Sequence, residues 1–86
     1  MYEIVFTEEA LRAYRKADSP LARKLNRCFD NLAEDPRSHP NIKRLTGTLR
    51  GRFRYRVGDW RVVYRVDDKV RRITILVIAH RSGVYD

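Results

Sequence analysis

An α+β fold is predicted for this chain: an N-terminal strand plus a three-strand meander in a small antiparallel sheet, with two helices packed on one face. Two patterns support the prediction. Residues 52–65 alternate charged and apolar side chains, which is typical of strands with one buried and one solvated face. Residues 21–32 place apolar side chains three and four positions apart, which is typical of an amphipathic helix. Helices on one face of such a sheet leave its other face open.

The first strand and the two helices fill the N-terminal part of the chain. Residues 2–6 alternate in the manner of a short strand. Thr7 is suited to cap the first helix, because its hydroxyl can accept a backbone N–H and two glutamates follow at the positive end of the helix dipole. Ser19 is the predicted cap of the second helix, since a proline follows it at the first helical position. Pro36 ends that helix.

The pair Gly58-Asp59 is the predicted turn of a β-hairpin, and its Gly-X order suits a type II′ turn. This turn places Arg56 opposite Arg61 and Val57 opposite Trp60. One face of the hairpin then carries Phe53, Tyr55, Val57, Trp60, Val62 and Tyr64. The other face carries Arg52, Arg54, Arg56, Arg61 and Arg65, and Val63 is the only apolar residue among them.

Like charges directly opposite one another destabilise a sheet by roughly 0.2–1 kcal/mol per pair. Stability alone therefore does not explain the arginine face. A polyanion bound there would turn the repulsion into attraction, which indicates nucleic acid.

The segment after the hairpin completes the sheet. Asp67-Asp68-Lys69 is a second turn, which fits these carboxylates better than an acid/base pair does. Residues 73–79 are apolar on both faces, as in an interior strand. No repeat or linker is visible, so we expect residues 1–86 to form a single domain.

The positive charge is concentrated in one part of the chain. Residues 43–72 hold eleven basic and three acidic side chains, which equals the whole net charge of +8, while the residues on either side each sum to zero. Charge confined to the hairpin and its approach favours a nucleic-acid binding surface. An acidic protein partner and simple solubility are the alternatives.

Several classes of protein are excluded or disfavoured by composition. The only cysteine, Cys28, allows no internal disulfide, and the two histidines lack partners at metal-ligand spacing. No apolar run approaches the roughly 20 residues that span a bilayer, and no signal peptide is visible. We expect a cytoplasmic protein with no cofactor, no metal and no membrane contact.

The arginines suggest chemistry on RNA. The 2′-hydroxyl of RNA can attack the adjacent phosphorus without a metal if the protein supplies fixed cations and moves two protons. Arginines suit phosphate binding but stay protonated, so they are poor bases. Tyr85 and His80 are the remaining candidates for proton transfer. Tyr85 as an anchor of the C-terminus and His80 as a polar strand end are the simpler alternatives.

Three segments carry a resemblance to a known family: Leu45-Thr46-Gly47, the run Arg-Val-Gly-Asp-Trp-Arg-Val-Val-Tyr at 56–64, and His-Arg-Ser-Gly-Val-Tyr at 80–85. The chain resembles the RelE/ParE superfamily of bacterial and archaeal toxins, and the RelE branch in particular. The resemblance covers nearly the whole chain and predicts a single RelE-like toxin domain. It implies the toxin of a type II toxin–antitoxin pair that cuts mRNA in the ribosomal A site, without metal, by 2′-OH attack.

The resemblance also assigns roles to single residues. Arg61 and Arg81 match arginines that hold the scissile phosphate and help the leaving group. Tyr85 matches the C-terminal tyrosine that orients or activates the nucleophile. Arg52 and Arg54 match basic positions that are lysines in the best-known member. Because an arginine practically cannot act as a base, the identity of the general base stays open between Tyr85 and a group of the ribosome, and slow cleavage is a third possibility.

The implied partners are a cognate antitoxin, the ribosome with its mRNA and ribosomal RNA, and operator DNA only through the antitoxin complex. Further candidates for RNA contact are Arg56, Arg65, Lys43 and Arg44. Two other functions compete with cleavage. One is a ParE-like toxin that inhibits DNA gyrase by binding it, and the other is an RNA- or DNA-binding module without activity.

Overall fold

The structure, a computed structural model, describes residues 1–81. It confirms the α+β fold, with two helices over one face of a five-stranded sheet. In chain order the elements are β1 (Glu3–Phe6), α1 (Glu8–Arg15), α2 (Ser19–Glu34), β2 (Ile42–Arg44), a 3₁₀ turn (Gly47–Leu49), β3 (Phe53–Val57), β4 (Trp60–Asp67) and β5 (Arg72–His80). The strands lie in the order β1-β5-β4-β3-β2, so β5 is interior, as its apolar run predicts.

The sheet differs from the predicted four-stranded antiparallel sheet in two features, since it is mixed and has five strands. β1 pairs with β5 in parallel, with Ile4 opposite Ile73, whereas the other strand pairs are antiparallel. β2 lies in the approach to the hairpin, where no strand is predicted, and pairs with β3 as an edge strand. Its three residues are too few to show an alternation of polarity, so the sequence pattern does not reveal it.

Both helices begin at a side-chain cap. Thr7 accepts a backbone N–H of the first turn of α1 at 3.1 Å, and its hydroxyl donates to the Leu76 carbonyl of β5 at 2.8 Å. The cap of α2 is Asp18, which accepts the N–H of Leu21 at 2.9 Å, so the prediction of Ser19 is wrong by one residue. Both residues can cap, but the carboxylate also interacts favourably with the helix dipole. Neither helix of the described range is long and apolar enough to cross a membrane.

The main core lies between the helices and the sheet. Ala10 of α1 is fully buried, and the predicted stripe of α2 contributes Leu25, Cys28, Phe29 and Leu32. The hairpin contributes Phe53, Tyr55, Val57, Val62 and Tyr64, with the half-buried Trp60 packed against them. The aromatic face of the hairpin therefore meets the helices.

A smaller apolar cluster lies on the opposite face of the sheet. Leu45, Val63 and Val77 are buried there, and Leu49 and Leu76 pack against them. A β-bulge contributes to this cluster, because β5 has one extra residue, Leu76, between the partners of two consecutive β4 residues. The arginine face is therefore open only in part, since the chain around the 3₁₀ turn covers its apolar patch.

Candidate nucleic-acid interface

The hairpin places the predicted arginines on the sheet face away from the helices. Gly58 has a φ of 59° and Asp59 stays outside the positive-φ region, which agrees with the predicted type II′ turn. Arg56 lies opposite Arg61, as predicted. Strand pairing and side-chain alternation place six basic side chains on this face of the sheet. We call them the basic face: Lys43, Arg52, Arg54, Arg56, Arg61 and Arg65.

Arg56 and Arg61 form the end of the basic face next to the hairpin turn. The N–H of Arg56 donates to the Asn41 carbonyl at 3.0 Å, and the Asn41 amide donates to the Arg56 carbonyl at 3.1 Å. The Nε of Arg56 donates to the Gly58 carbonyl at 3.3 Å. These bonds hold the position of Arg56 before any ligand arrives, which lowers the entropic cost of binding.

Lys43 and Arg54 form the next row of the basic face, opposite each other on β2 and β3. Arg54 is half-buried and its Nε is shielded from solvent, whereas Lys43 is exposed at the edge of the sheet. Val63 lies opposite Arg54 on β4 and belongs to the small apolar cluster. A cation beside apolar side chains attracts a phosphate more strongly than one in bulk water, because the local dielectric constant is lower.

Arg81 reaches the same end of the sheet from the neighbouring strand. Arg61 lies opposite Ala79, and Arg81 follows two residues later, just beyond β5. The N–H of Arg81 donates to the Asp59 carbonyl at 2.7 Å, and its Nη1 lies 3.9 Å from the Asp59 carboxylate. With side-chain exposures of 66% and 63%, this ion pair is weak. The Arg81 guanidinium can therefore exchange this partner for a phosphate at little cost.

Arg44 is not part of the basic face. Arg44 is the last residue of β2 and lies opposite Phe53. Its guanidinium is 5.5 Å from the centre of the Phe53 ring. Neighbouring residues of a strand point to opposite faces. Arg44 therefore lies on the other face of the sheet from Lys43, and its contact with RNA stays a prediction.

One of the two candidates for proton transfer, His80, is separated from the arginines of the basic face. His80 lies opposite Trp60, with ring centroids 5.4 Å apart, on the helix side of the sheet. His80 therefore faces away from the basic face. Tyr85 lies outside the described residues.

The groups whose pKa is shifted lie away from the basic face. Burial raises the pKa of the Cys28 thiol and of the Tyr64 phenol well above their usual ranges. Neither group can accept a proton near neutral pH. Hydrogen bonds from the Tyr2 hydroxyl and then from Arg37 lower the pKa of Asp68. Within residues 1–81, no three side chains that could bind a metal lie together.

Two contacts of the site are not evident from the sequence. Asn41 holds the backbone of Arg56. In the sequence it is only an amide residue just before β2, a strand that the sequence pattern does not predict. Asp59 is recognisable as a turn residue. Its contact with Arg81 depends on the register between β4 and β5, which sequence patterns do not fix across the second turn.

The chain is similar to toxins of toxin–antitoxin systems. Residues 4–85 match a family model described as the ParE toxin of type II toxin–antitoxin system, parDE. Two proteins of Mycobacterium tuberculosis are similar over 85 residues and 98% of this chain: Toxin RelE, 34% identical with 86% of its length covered, and Toxin RelG, 33% identical with 95% covered.

Solved structures show the same similarity. The toxin–antitoxin complex RelBE2 from Mycobacterium tuberculosis matches with a TM-score of 0.79 and 32% identity, over 93% of this chain and 98% of that one. The archaeal RelE–RelB complex from Pyrococcus horikoshii matches with a TM-score of 0.81 and 26% identity, over 96% of this chain and 98% of that one.

Proposed function

The chain belongs to the RelE/ParE superfamily of type II toxin–antitoxin toxins, and from this premise we propose that it is a ribosome-dependent endoribonuclease that cuts mRNA in the A site. The observation that carries the proposal is the convergence of Arg56, Arg61 and Arg81 at one end of the basic face. Three cations, one on β3, one on β4 and one just beyond β5, suit a single phosphate group and its neighbours.

In the proposed reaction the 2′-oxygen of one nucleotide attacks the adjacent phosphorus. The bond to the 5′-oxygen breaks, and the upstream fragment keeps a 2′,3′-cyclic phosphate. Arg61 and Arg81 hold the non-bridging oxygens and stabilise the negative charge that grows on them in the transition state. Arg56 holds a neighbouring phosphate and keeps the strand in line.

Tyr85, or alternatively a group of the ribosome, is proposed to accept the proton of the 2′-hydroxyl and to return a proton to the leaving 5′-oxygen. Because arginine side chains in general are too weakly acidic to act as bases, we assign Arg52 and Arg54 to RNA binding and not to proton transfer. Lys43 and Arg65 extend the phosphate contacts along the basic face. The proposed activity needs no metal or cofactor bound by the protein.

We also propose a cognate antitoxin as the partner that keeps the toxin inactive in the cytoplasm. Structures of RelE-like toxins with their antitoxins support this proposal. An acidic antitoxin segment that covers the basic face would block access of RNA and neutralise its charge. The toxin contacts operator DNA only through the complex.

A second candidate function follows from the match to the ParE family. A ParE-like toxin inhibits DNA gyrase by binding it and performs no cleavage. The arginines at 61 and 81 favour the ribonuclease, because a gyrase-binding protein has no need for cations centred on one phosphate.

The proposal is tested by primer extension on mRNA bound to purified ribosomes. We expect a cut within the A-site codon, and none when the same mRNA is free in solution. Replacing the attacking 2′-hydroxyl by hydrogen at that nucleotide should abolish the cut, because the nucleophile is then absent. Intact A-site mRNA together with inhibition of gyrase supercoiling would replace this proposal by the second candidate.

A further inference from the structure

A cavity of about 420 Å³ lies at the edge of the sheet on the side of the helices. Its floor is formed by Phe53 and Val66, which face the main core, and one wall is the loop of residues 45–51. Leu45 and Leu49 of the same loop belong to the apolar cluster on the basic-face side. The loop therefore separates this cavity from the basic face.

Three arginines line the cavity, although none belongs to the basic face: Arg37, Arg44 and Arg50. The guanidinium groups of Arg37 and Arg44 lie 5.7 Å and 5.5 Å from the centre of the Phe53 ring. Arg37 is also held by Asp68, with 2.8 Å between Nη2 and Oδ2. Within the described residues, Arg44 and Arg50 make no ion pair and no side-chain hydrogen bond.

We propose that this cavity is a second RNA-binding site, which holds one nucleotide of a strand that passes over the edge of the sheet. Arg44 and Arg50 bind the phosphate, and the base lies against the apolar floor and the guanidinium planes. The proposal rests on the proposed function in taking RNA as the polyanion. The volume lies within the range of roughly 300–1,000 Å³ that is usual for small-molecule sites, which is adequate for a mononucleotide.

The lining favours RNA over an acidic peptide. Guanidinium planes stack on nucleobases and their edges bind phosphates, whereas a carboxylate can bind only the edges. Lys43 and Arg44 are consecutive residues of β2 and point to the two faces of the sheet. A single RNA strand crossing this edge can therefore contact the basic face and the cavity together.

The test is the binding of a short fluorescein-labelled single-stranded RNA, followed by anisotropy over a series of salt concentrations. Arg44→Ala and Arg50→Ala should each reduce the log–log salt slope by about 0.7, the contribution of one phosphate contact in a single strand. Arg23→Ala removes the same charge from an exposed position of α2, and should leave the slope near that of the wild type. Thermal unfolding of each variant confirms that the fold is retained.

No ribosome is present in this assay, so its result does not depend on cleavage. In an Arg61→Ala background, which weakens the basic face, the loss caused by Arg44→Ala should persist if the two sites are separate. Salt slopes of both cavity variants equal to that of Arg23→Ala would overturn the proposal. So would cavity variants that bind RNA normally but bind poly-glutamate more weakly, because the cavity would then serve an acidic protein.

Discussion

Arg54 tests whether its position on the basic face binds phosphate or needs a proton acceptor. It is half-buried opposite Val63, and a guanidinium there cannot act as a base. If Arg54 binds phosphate, Arg54→Lys should lower the single-turnover rate of A-site cleavage a few-fold, because the bidentate contact is lost. A faster reaction with lysine would show that a proton acceptor is missing at this position.

Tyr85 is the residue proposed to take part in proton transfer. Tyr85→Phe keeps the aromatic ring and removes only the hydroxyl, so it separates proton transfer from anchoring. We expect a loss of roughly 10²-fold or more in the single-turnover rate, with unchanged thermal stability. A rate close to that of the wild type would assign Tyr85 to anchoring and leave proton transfer to the ribosome.

At the scale of elements, Thr7 connects the start of α1 to the bulged part of β5. Thr7→Ala removes both hydrogen bonds of the hydroxyl and should destabilise the fold by about 1–2 kcal/mol, at the upper end for a lost helix cap. Thr7→Ser keeps the hydroxyl and is the matched control. Urea unfolding curves measure both variants, and equal midpoints would show that this connection contributes nothing.

Sequence patterns predict the elements in which polar and apolar side chains repeat regularly over many residues. They miss the features that depend on how distant strands pair. The helix of residues 21–32 and the hairpin around Gly58-Asp59 follow from the spacing of their side chains, and the structure confirms both. The parallel pairing of β1 and the extra residue at Leu76 depend on register between distant segments, which local patterns do not contain.

The same limit applies to the site. The alternation of residues 52–65 places five arginines on one face from sequence alone. The three residues of β2 give no such alternation, so the sequence does not show that Arg44 faces the other way. The contact between Asp59 and Arg81 likewise appears only when β4 and β5 are in register.

At the scale of the whole molecule, an ionic network ties together three distant parts of the chain. Asp68 in the turn after β4 accepts the Tyr2 hydroxyl at 2.7 Å and pairs with Arg37, which follows α2. These partners lower the pKa of Asp68 in the folded state. A carboxylate with a lowered folded-state pKa stabilises the fold above its unfolded-state value, and the stabilisation is lost as the pH falls through the folded-state value.

We therefore expect the stability of the wild type to decrease as the pH falls below about 4, the ordinary range of an aspartate. The pKa of Asp35 is lowered as well, first by the backbone N–H of Arg37, and adds to the same dependence. Asp68→Asn should make the midpoint of thermal unfolding less sensitive to pH in this range. The same acid dependence in Asp68→Asn and wild type would show that the network does not contribute.

The whole molecule is a sheet covered by helices on one face, and we propose that its other face binds RNA. The net charge of +8 arises from residues 43–72, and these residues form the basic face, the loop beside it and the turn before β5. We propose that this face binds phosphate groups, and that Arg61 and Arg81 at one end of it take part in catalysis.

The most direct test is the single-turnover rate of A-site mRNA cleavage on programmed ribosomes. Arg61→Ala and Arg81→Ala should each lower this rate by about 10²–10³-fold, the usual loss when one preorganised charge is removed from a developing oxyanion. Arg23→Ala, which loses the same charge on α2, should cleave at close to the wild-type rate. Equal rates for Arg61→Ala, Arg81→Ala and Arg23→Ala would contradict the account.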